Sequence, residues 1–150
     1  MILGLPVGIS MHQILFVDDE PDLLRIYQEE FFEEGYGVLL ASNGKEALDI
    51  FARKNPDLVV LDISMPTMDG VEALVAMMGK NRALPVILHS AYPEYRENFL
   101  TWGAEAFIQK SHDLGPLKKK IRELLEKPEN RGLPEGKTKD KIKRKAAKRL

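Results

Sequence analysis

Short apolar runs alternate with amphipathic helical stretches along most of this 150-residue chain. Strands joined through helices in this way form parallel sheets with helices on both faces. The run LVVL is apolar throughout, as a strand covered on both faces should be. We therefore predict an α/β fold with five strands, at Gln13–Val17, Val38–Ala41, Leu58–Leu61, Pro85–Leu88 and Ala106–Gln109.

Turn and capping residues indicate where the helices begin and end. Pro21 suits the first turn of a helix that Gly35 closes. Asn43 followed by Glu46 is typical of a capping box at the start of the next helix, and Gly103 is expected to end the fourth. Apolar residues at helical spacing predict five helices, with the stripes Leu24, Tyr27 and Phe31; Ala47, Leu48 and Phe51; Val71, Leu74, Val75 and Met78; Tyr95, Phe99 and Trp102; and Leu117, Ile121, Leu124 and Leu125.

The composition excludes several classes of protein. It is 44% hydrophobic and 30% charged, as in a folded domain. The absence of cysteine excludes disulfides, thiolate catalysis and cysteine-ligated zinc, and it fits a reducing compartment. No apolar run approaches the roughly 18 residues that a membrane helix needs. We expect a cytoplasmic protein with no integral membrane segment.

Charge is unevenly distributed along the chain. Residues 1–115 carry 18 acids and 8 bases, whereas residues 116–150 carry 5 acids and 14 bases. We expect an N-terminal arm at 1–11, one domain at 12–127, and a linker with a basic, disordered tail at 128–150. Four interpretations of the tail stay open: a solvated extension, weak binding to nucleic acid or another polyanion, attraction to an anionic membrane, and contact with the acidic surface of its own domain.

Polar residues follow four of the predicted strands. Asp18 and Asp19 come after the first strand, Asp62 after the third, Ser90 after the fourth and Lys110 after the fifth. Ligands of open α/β sheets bind outside the carboxyl ends of the strands. We therefore expect these side chains to meet at one edge of the sheet.

This set of side chains suits phosphate chemistry. Neighbouring carboxylates repel one another, and a hard cation such as Mg²⁺ with oxygen ligands relieves that repulsion. A lysine supplies a point charge for a phosphoryl group, and a serine hydroxyl supplies a hydrogen bond. A carboxylate can itself be the nucleophile that becomes an aspartyl-phosphate. The pattern predicts a phosphoryl acceptor site that neutralises its own charge.

The motifs ILFVDDE, LVVLDISMPTMDG, PVILHSA and GAEAFIQK resemble those of the receiver domains of bacterial response regulators. The resemblance covers about residues 12–127. It implies a doubly wound (βα)5, flavodoxin-like three-layer sandwich with a parallel sheet of order 2-1-3-4-5. It also implies a phosphorylation-dependent switch of a two-component system. Too few residues follow for an output domain, so we expect a stand-alone receiver with a basic tail.

The resemblance also implies roles for individual residues. Asp62 would accept a phosphoryl group from a sensor histidine kinase or a histidine phosphotransfer protein. The signal would pass to an unknown downstream protein through the surface of the fourth helix, fifth strand and fifth helix. The site would use Mg²⁺ or Mn²⁺. The implied residues are Asp18, Asp19, Asp62 and the Ser64 backbone carbonyl at the metal; Lys110 and Ser90 at the phosphoryl group; Ser90 and Phe107 in the switch; and Ser64, Ala91 and Tyr92 flanking the phosphoryl site.

The chain departs from the family pattern at two places. Ser111 follows the lysine where the family has a proline after a cis bond, and we expect a trans bond here. Phe107 lacks the hydroxyl of the commoner tyrosine, so its movement cannot depend on a bond from that group. Tyr92 is bulky and is expected to hinder the water that hydrolyses the phosphoryl linkage.

Three other functions are alternatives to a terminal switch. A hydrolase resembling haloacid dehalogenases would need a second aspartate where this chain has Ser64, and it would carry its nucleophile on the first strand. A degenerate scaffold is disfavoured by the intact acids and Lys110. A phosphoryl carrier in a relay is indistinguishable by sequence from a terminal switch. We expect a protein that is not an enzyme in the ordinary sense. His12, His89 and His112 show no metal-ligand spacing and are interpreted as incidental.

Overall fold

A computed structural model describes residues 11–63, 70–97 and 103–126. Its five strands form one parallel sheet in the order β2-β1-β3-β4-β5, with helices between successive strands, as predicted. The elements are β1 (Gln13–Val17), α1 (Pro21–Glu33), β2 (Gly37–Ala41), α2 (Gly44–Lys54), β3 (Leu58–Leu61), α3 (Gly70–Lys80), β4 (Val86–Ser90), a 3-10 helix (Pro93–Glu97), β5 (Ala106–Gln109) and α4 (Gly115–Glu126).

The core consists of two layers separated by the sheet. Successive residues of a strand point to opposite faces, so Leu15 and Val17 of β1 face one layer while Ile14 and Phe16 face the other. Helices α2 and α3 cover the first face, and α1 and α4 cover the second. The buried side chains of those helices are Ala47, Phe51, Ala73, Leu74 and Met77 on the first face, and Tyr27, Phe31, Leu117, Ile121, Leu124 and Leu125 on the second.

Helix ends follow the predicted signals. Pro21 is the first residue of α1, and Gly35 beyond its end adopts a φ of 97° that favours glycine. The Asn43 side chain accepts a 2.8 Å hydrogen bond from the backbone N–H of Glu46 at the start of α2. The Glu46 carboxylate in turn accepts from the N–H of Ser42, one residue before the cap.

Three details of the pattern were wrong. Strand β2 begins one residue earlier than predicted, at Gly37. Strand β4 begins one residue later than predicted and ends two residues later, because His89 and Ser90 pair with Ile108 and Gln109 of β5. Ser90 is therefore the last residue of β4 and does not follow it. In α3, the Val75 side chain is 59% exposed although it lies at helical spacing from buried Leu74 and its neighbours.

Several predictions fall on residues outside the described ranges. These are the N-terminal arm, the basic tail, the backbone carbonyl of Ser64 as a metal ligand, and most of the fourth helix, which was assigned from Tyr95, Phe99 and Trp102. Before the gap at 98–102 the structure describes the short 3-10 helix Pro93–Glu97. Within the described ranges, no helix has the length and hydrophobicity needed to cross a bilayer.

Candidate functional site

Backbone hydrogen bonds fix three of the predicted site residues at one edge of the sheet. Each of the three lies directly after a strand, and its N–H still donates to the neighbouring strand, so its position is set by the sheet. The three bonds are Asp18 to the carbonyl of Ala41 at 3.0 Å, Asp62 to that of Val17 at 3.0 Å, and Lys110 to that of Ser90 at 2.8 Å.

The Lys110 side chain joins the carboxylates at this edge. Its Nζ lies 2.7 Å from Oδ2 of Asp18 and 3.2 Å from Oδ2 of Asp62. The ammonium also lies 3.2 Å from Oε1 of Glu20. Only 14% of the Lys110 side chain is exposed. The predicted convergence of residues 18, 62 and 110 is therefore present in the structure.

Glu20 is a contact that sequence reasoning missed. The residue ends the motif ILFVDDE, but no role was predicted for it. Its exposed carboxylate contacts Lys110 across 90 positions of sequence, and its backbone N–H donates a 3.0 Å hydrogen bond to Oδ1 of Asp18. The run of three acids at positions 18–20 was the available signal.

Burial and charge shift the pKa values of this group. Burial raises the pKa of Asp18 above its usual range, and the contact with Lys110 offsets only part of that effect. Burial also opposes the charge on Lys110, but the hydrogen bond and negative charge of Asp18, followed by the charge of Asp62, outweigh it and raise the lysine pKa. The lysine therefore stays protonated and partly compensates Asp18, whose charged form is disfavoured by burial.

The acidic pair fits a hard divalent cation. One carboxylate oxygen from each of Asp18, Asp19 and Glu20 lies within 4.8 Å of the other two. Asp18 is almost fully buried, while Asp19 and Glu20 are exposed. Oxygen ligands of this kind, open to solvent on one side, suit Mg²⁺, which keeps several waters. Asp62 is connected to this group through Lys110, whose ammonium contacts both Asp62 and Asp18.

Ser90 lies beside the site, and its hydroxyl is bonded to the loop that follows β4. The residue is fully buried, and its Oγ accepts a 3.1 Å hydrogen bond from the backbone N–H of Tyr92. Ala91 is exposed, and Tyr92 is 47% exposed. The structure thus places Ser90 at the end of the strand next to Asp62, but among the described contacts its hydroxyl does not meet Lys110 or Asp62.

Phe107 is already buried in this structure. It lies on β5 with 5% of its surface exposed, and it packs in the same layer as α2 and α3. The guanidinium of Arg96 lies over the ring, 4.8 Å from its centroid. An aromatic at this place can respond to movement of the segment that follows β4, because Arg96 belongs to that segment.

His89 has a structural partner that the sequence did not indicate. Its side chain is buried on the face opposite Phe107, and its Nδ1 is hydrogen-bonded to the hydroxyl of Tyr27 on α1. Burial lowers the pKa of His89 to about 4, and the charge of Lys110 acts in the same direction. Tyr27 also stacks on Phe16, with ring centroids 4.6 Å apart. The pair connects α1 to the strand that ends at Ser90.

The loop after Lys110 is held without the family proline. The described residues contain no cis peptide bond, so the bond between Lys110 and Ser111 is trans as expected. The Ser111 hydroxyl donates to the carbonyl of Asp113 at 3.0 Å. The Asp113 carboxylate then accepts a 2.8 Å bond from the N–H of Gly115, which begins α4.

The family model and the sequence relatives point to the same protein family. A family model described as "Response regulator receiver domain" matches residues 14–122. The chain is 37% identical over 119 residues to "Regulatory protein AtoC" of Escherichia coli (strain K12), covering 78% of this chain and 26% of that protein. It is 39% identical over 105 residues to "Sporulation initiation phosphotransferase F" of Bacillus subtilis (strain 168), covering 70% of this chain and 77% of that protein.

Solved structures agree with the sequence relatives. Response regulator protein TrrA from Thermotoga maritima, in complex with Mg²⁺ and BeF, is 42% identical with a TM-score of 0.73, over 77% of this chain and 100% of that one. TrrA in complex with histidine kinase ThkA gives a TM-score of 0.71 over 77% of this chain and 99% of that one. The chain spans about a quarter of AtoC but all of TrrA.

Proposed function

Because this chain belongs to the response regulator receiver domain family, we propose that it is a phosphorylation-dependent signalling switch with Asp62 as the phosphoryl acceptor. The observation that carries the proposal is the contact of Lys110 with both Asp62 and Asp18 at the carboxyl edge of the sheet. A carboxylate can act as the nucleophile in phosphoryl transfer, and an ammonium held between Asp62 and Asp18 is placed to stabilise the negative charge of the transferred group.

The reaction proposed for Asp62 is a displacement at phosphorus. A carboxylate oxygen of Asp62 attacks the phosphorus of a phosphohistidine, an O–P bond forms, and the P–N bond to the imidazole breaks. The leaving imidazole takes up a proton. Asp62 is only 5% exposed, so most of its side chain is shielded from water. Backbone donation from its N–H to Val17 holds the nucleophile in place.

Asp18 and Asp19 are proposed to hold Mg²⁺, together with Asp62 and the backbone carbonyl of Ser64. Bound Mg²⁺ supplies neutralisation of the phosphoryl oxygens during transfer. Glu20 adds negative charge to the same group of oxygens. The complex of TrrA with Mg²⁺ and BeF supports this assignment. Mn²⁺ has similar ligand preferences, and we propose that it substitutes.

Lys110 and Ser90 are proposed to read the phosphorylated state. A phosphoryl group adds roughly −1.5 to −2 of charge and several acceptor oxygens, so the Lys110 ammonium gains a stronger partner than the Asp62 carboxylate alone. The Ser90 hydroxyl now accepts from Tyr92, and to donate to the phosphoryl group it must turn with the loop that follows β4. Movement of that loop would shift Arg96, whose guanidinium lies over the Phe107 ring, and would thereby change the surroundings of that ring.

The proposed partners follow from the family. A sensor histidine kinase or a histidine phosphotransfer protein donates the phosphoryl group, and the complex of TrrA with histidine kinase ThkA supports this. A downstream protein binds the surface that changes around the 3-10 helix, β5 and α4. We propose a cytoplasmic location and no turnover of small substrates beyond acceptance and slow loss of the phosphoryl group.

The experiment is labelling of the full chain with acetyl phosphate and Mg²⁺, read by intact-mass spectrometry. We expect the wild type to gain one phosphoryl group and Asp62→Asn to gain none. Asp49→Asn is the matched control, because Asp49 is an exposed carboxylate on α2 that pairs only with Arg53 among the described residues, and it should label like the wild type. Persistent stoichiometric labelling of Asp62→Asn would exclude Asp62 as the acceptor.

A second candidate is a phosphoryl carrier in a relay. The similarity to Sporulation initiation phosphotransferase F, of which the chain covers 77%, favours it. A carrier returns its phosphoryl group to a histidine protein, whereas a terminal switch loses it to water. Incubating the labelled chain with a histidine phosphotransfer protein separates the two: label that moves to the histidine faster than it hydrolyses supports the carrier, and label that only hydrolyses supports the switch.

A further inference from the structure

Helix α1 presents two large apolar side chains to solvent. Ile26 is 44% exposed and Phe32 is 61% exposed. At 100° per residue, Glu29 and Glu33 lie between them around the helix, and both glutamates are exposed. We call these four residues the outer face of α1. It is an apolar face with acidic groups at its centre.

The two glutamates of the outer face have no ion-pair partner among the described residues. The neighbouring acids on the side towards α4 are paired, since Glu30 contacts Lys118 at 2.7 Å and Glu34 contacts Arg122 at 3.4 Å. Arg25, the base on the outer side of α1 itself, is paired with Asp22. The outer face keeps its negative charge beside exposed hydrocarbon, which is an arrangement that favours a basic, partly apolar partner.

The chain leaves the described structure next to this face. Contacts of residues 30 and 34 with residues 118 and 122 show that α1 and α4 run side by side in the same direction. Glu126, the last residue of α4, lies one turn beyond Arg122 and close enough to Tyr36 to raise the pKa of that phenol, after the larger effect of burial. The last described residue, Glu126, thus lies near Tyr36, which follows the C-terminal end of α1.

The segment that follows has the complementary chemistry. Residues 137–150, the basic segment, hold eight bases and one acid. Ile142, Ala146 and Leu150 recur every fourth position among those bases. The ten residues 127–136 before the segment can span up to about 35 Å, whereas Glu29 and Glu34 are separated by about 7.5 Å along the helix axis. The linker is therefore long enough for the basic segment to contact the outer face of α1.

We propose that the basic segment docks in cis on the outer face of α1, with its lysines and arginines on Glu29 and Glu33 and its apolar residues against Ile26 and Phe32. Attachment through a short linker raises the local concentration of the segment to the millimolar range, so weak pairs suffice. A polyanion would be repelled by this face and must instead compete for the segment. A partner that binds the same face of α1 must displace it.

The experiment uses the full chain, which has no cysteine of its own. Ala147→Cys carries a nitroxide spin label, and backbone amide signals report which residues lie near it. We expect a several-fold loss of intensity for the amides of α1 around Glu29 to Glu33, and none for α2. The loss should disappear when salt is raised from about 0.1 M to about 1 M, because the screening length falls from about 10 Å to about 3 Å.

Matched variants test the contact residues. Glu29→Gln with Glu33→Gln should restore the α1 signals, whereas Asp49→Asn with Glu94→Gln removes the same charge from exposed acids elsewhere and should leave the loss intact. Uniform or absent broadening means a solvated extension and overturns the proposal. Broadening on another face of the domain also overturns it. A mixed sample, in which the spin label is on one copy and the observed amides are on another, tests for contact between copies, and broadening of α1 only in that sample overturns the proposal as well. Binding of the segment to added duplex DNA without any α1 broadening in the free chain overturns it as well.

Discussion

The Lys110 ammonium lies nearer to Oδ2 of Asp18, at 2.7 Å, than to Oδ2 of Asp62, at 3.2 Å. The lysine thus neutralises Asp18 at least as strongly as it neutralises the proposed acceptor. A divalent cation held by the same acids would share this neighbourhood with the ammonium. The two positive charges therefore compete for the oxygens of Asp18.

This competition predicts that Lys110→Met binds Mg²⁺ more tightly than the wild type. Unit charges about 4 Å apart interact by roughly 1 kcal/mol in water and more near protein, so removal of the ammonium should raise Mg²⁺ affinity about tenfold, which corresponds to about 1.4 kcal/mol. Calorimetric titration with Mg²⁺ measures it, with Lys54→Met, an exposed lysine at the end of α2, as the control. Equal affinity in the Lys110→Met variant would mean that the ammonium and the cation do not share ligands.

A second prediction concerns the close approach of α3 to the acceptor. A Cβ on Gly70 would lie 2.4 Å from Cα of Ile63 and 2.5 Å from the carbonyl oxygen of Asp62. Gly70→Ala must therefore push the backbone next to Asp62 away from α3. We expect a loss of about 1–3 kcal/mol in the free energy of unfolding and slower labelling by acetyl phosphate.

Gly79 in the same helix provides the matched control for Gly70. A Cβ there would meet nothing within 4 Å, so Gly79→Ala should stabilise the chain by about 0.5–1 kcal/mol through helix propensity alone. Labelling should not change. If Gly70→Ala labels at the wild-type rate, the backbone at Asp62 tolerates displacement and the proposed precision of the site is wrong.

A third prediction is a pH dependence of stability due to His89. Burial lowers its folded pKa to about 4 from the ordinary 6.5, so between these values the unfolded chain binds the proton and the folded chain does not. The free energy of unfolding therefore rises with pH across this window. Acidification through the same window lowers it by up to about 3 kcal/mol. Tyr27 and Lys110 are the polar and charged groups that act on this imidazole.

Denaturant unfolding at several pH values measures the His89 contribution. His89→Gln keeps a group that can accept from the Tyr27 hydroxyl but does not titrate, so it should lose this part of the pH dependence. His112→Gln, at an exposed position, should keep it. Asp18, whose raised pKa contributes with the opposite sign, is common to all three proteins and cancels in the comparison. Parallel slopes for wild type and His89→Gln would contradict the buried neutral imidazole.

The parts of the fold that were predicted are those set by local chemistry. The uniform apolarity of β3 indicated a central strand, and Asn43 with Glu46 indicated the start of α2, because each signal lies within a few residues. The site was predicted because parallel strands bring their carboxyl ends together whatever the side chains do. Asp62 and Lys110 needed only their place after a strand.

The parts that were missed depend on side chains meeting across the fold. The Tyr27 hydroxyl bonds to His89 across 62 positions of sequence, and helical periodicity placed Tyr27 inward without indicating its partner. The polar residues His89 and Ser90 ended the apolar pattern at Leu88, yet the strand continues because β5 supplies hydrogen bonds and Tyr27 satisfies the imidazole. Glu20 contacts Lys110 across 90 positions of sequence, which no local pattern could indicate.

The last prediction concerns Arg96, whose guanidinium lies 4.8 Å from the ring centroid of Phe107. Arginine over an aromatic ring at a partly exposed site stabilises by about 0.5–1 kcal/mol, and Arg96 also covers a ring that is 5% exposed. Arg96→Ala should lower the free energy of unfolding by about that amount. Phe107→Leu removes the ring but keeps an apolar side chain, so the double variant isolates the pair: a coupling near 0.5–1 kcal/mol supports the contact, and strict additivity contradicts it. Because Arg96 lies in the segment after β4 and Phe107 lies on β5, we expect this contact to carry movement at Ser90 to the proposed output surface.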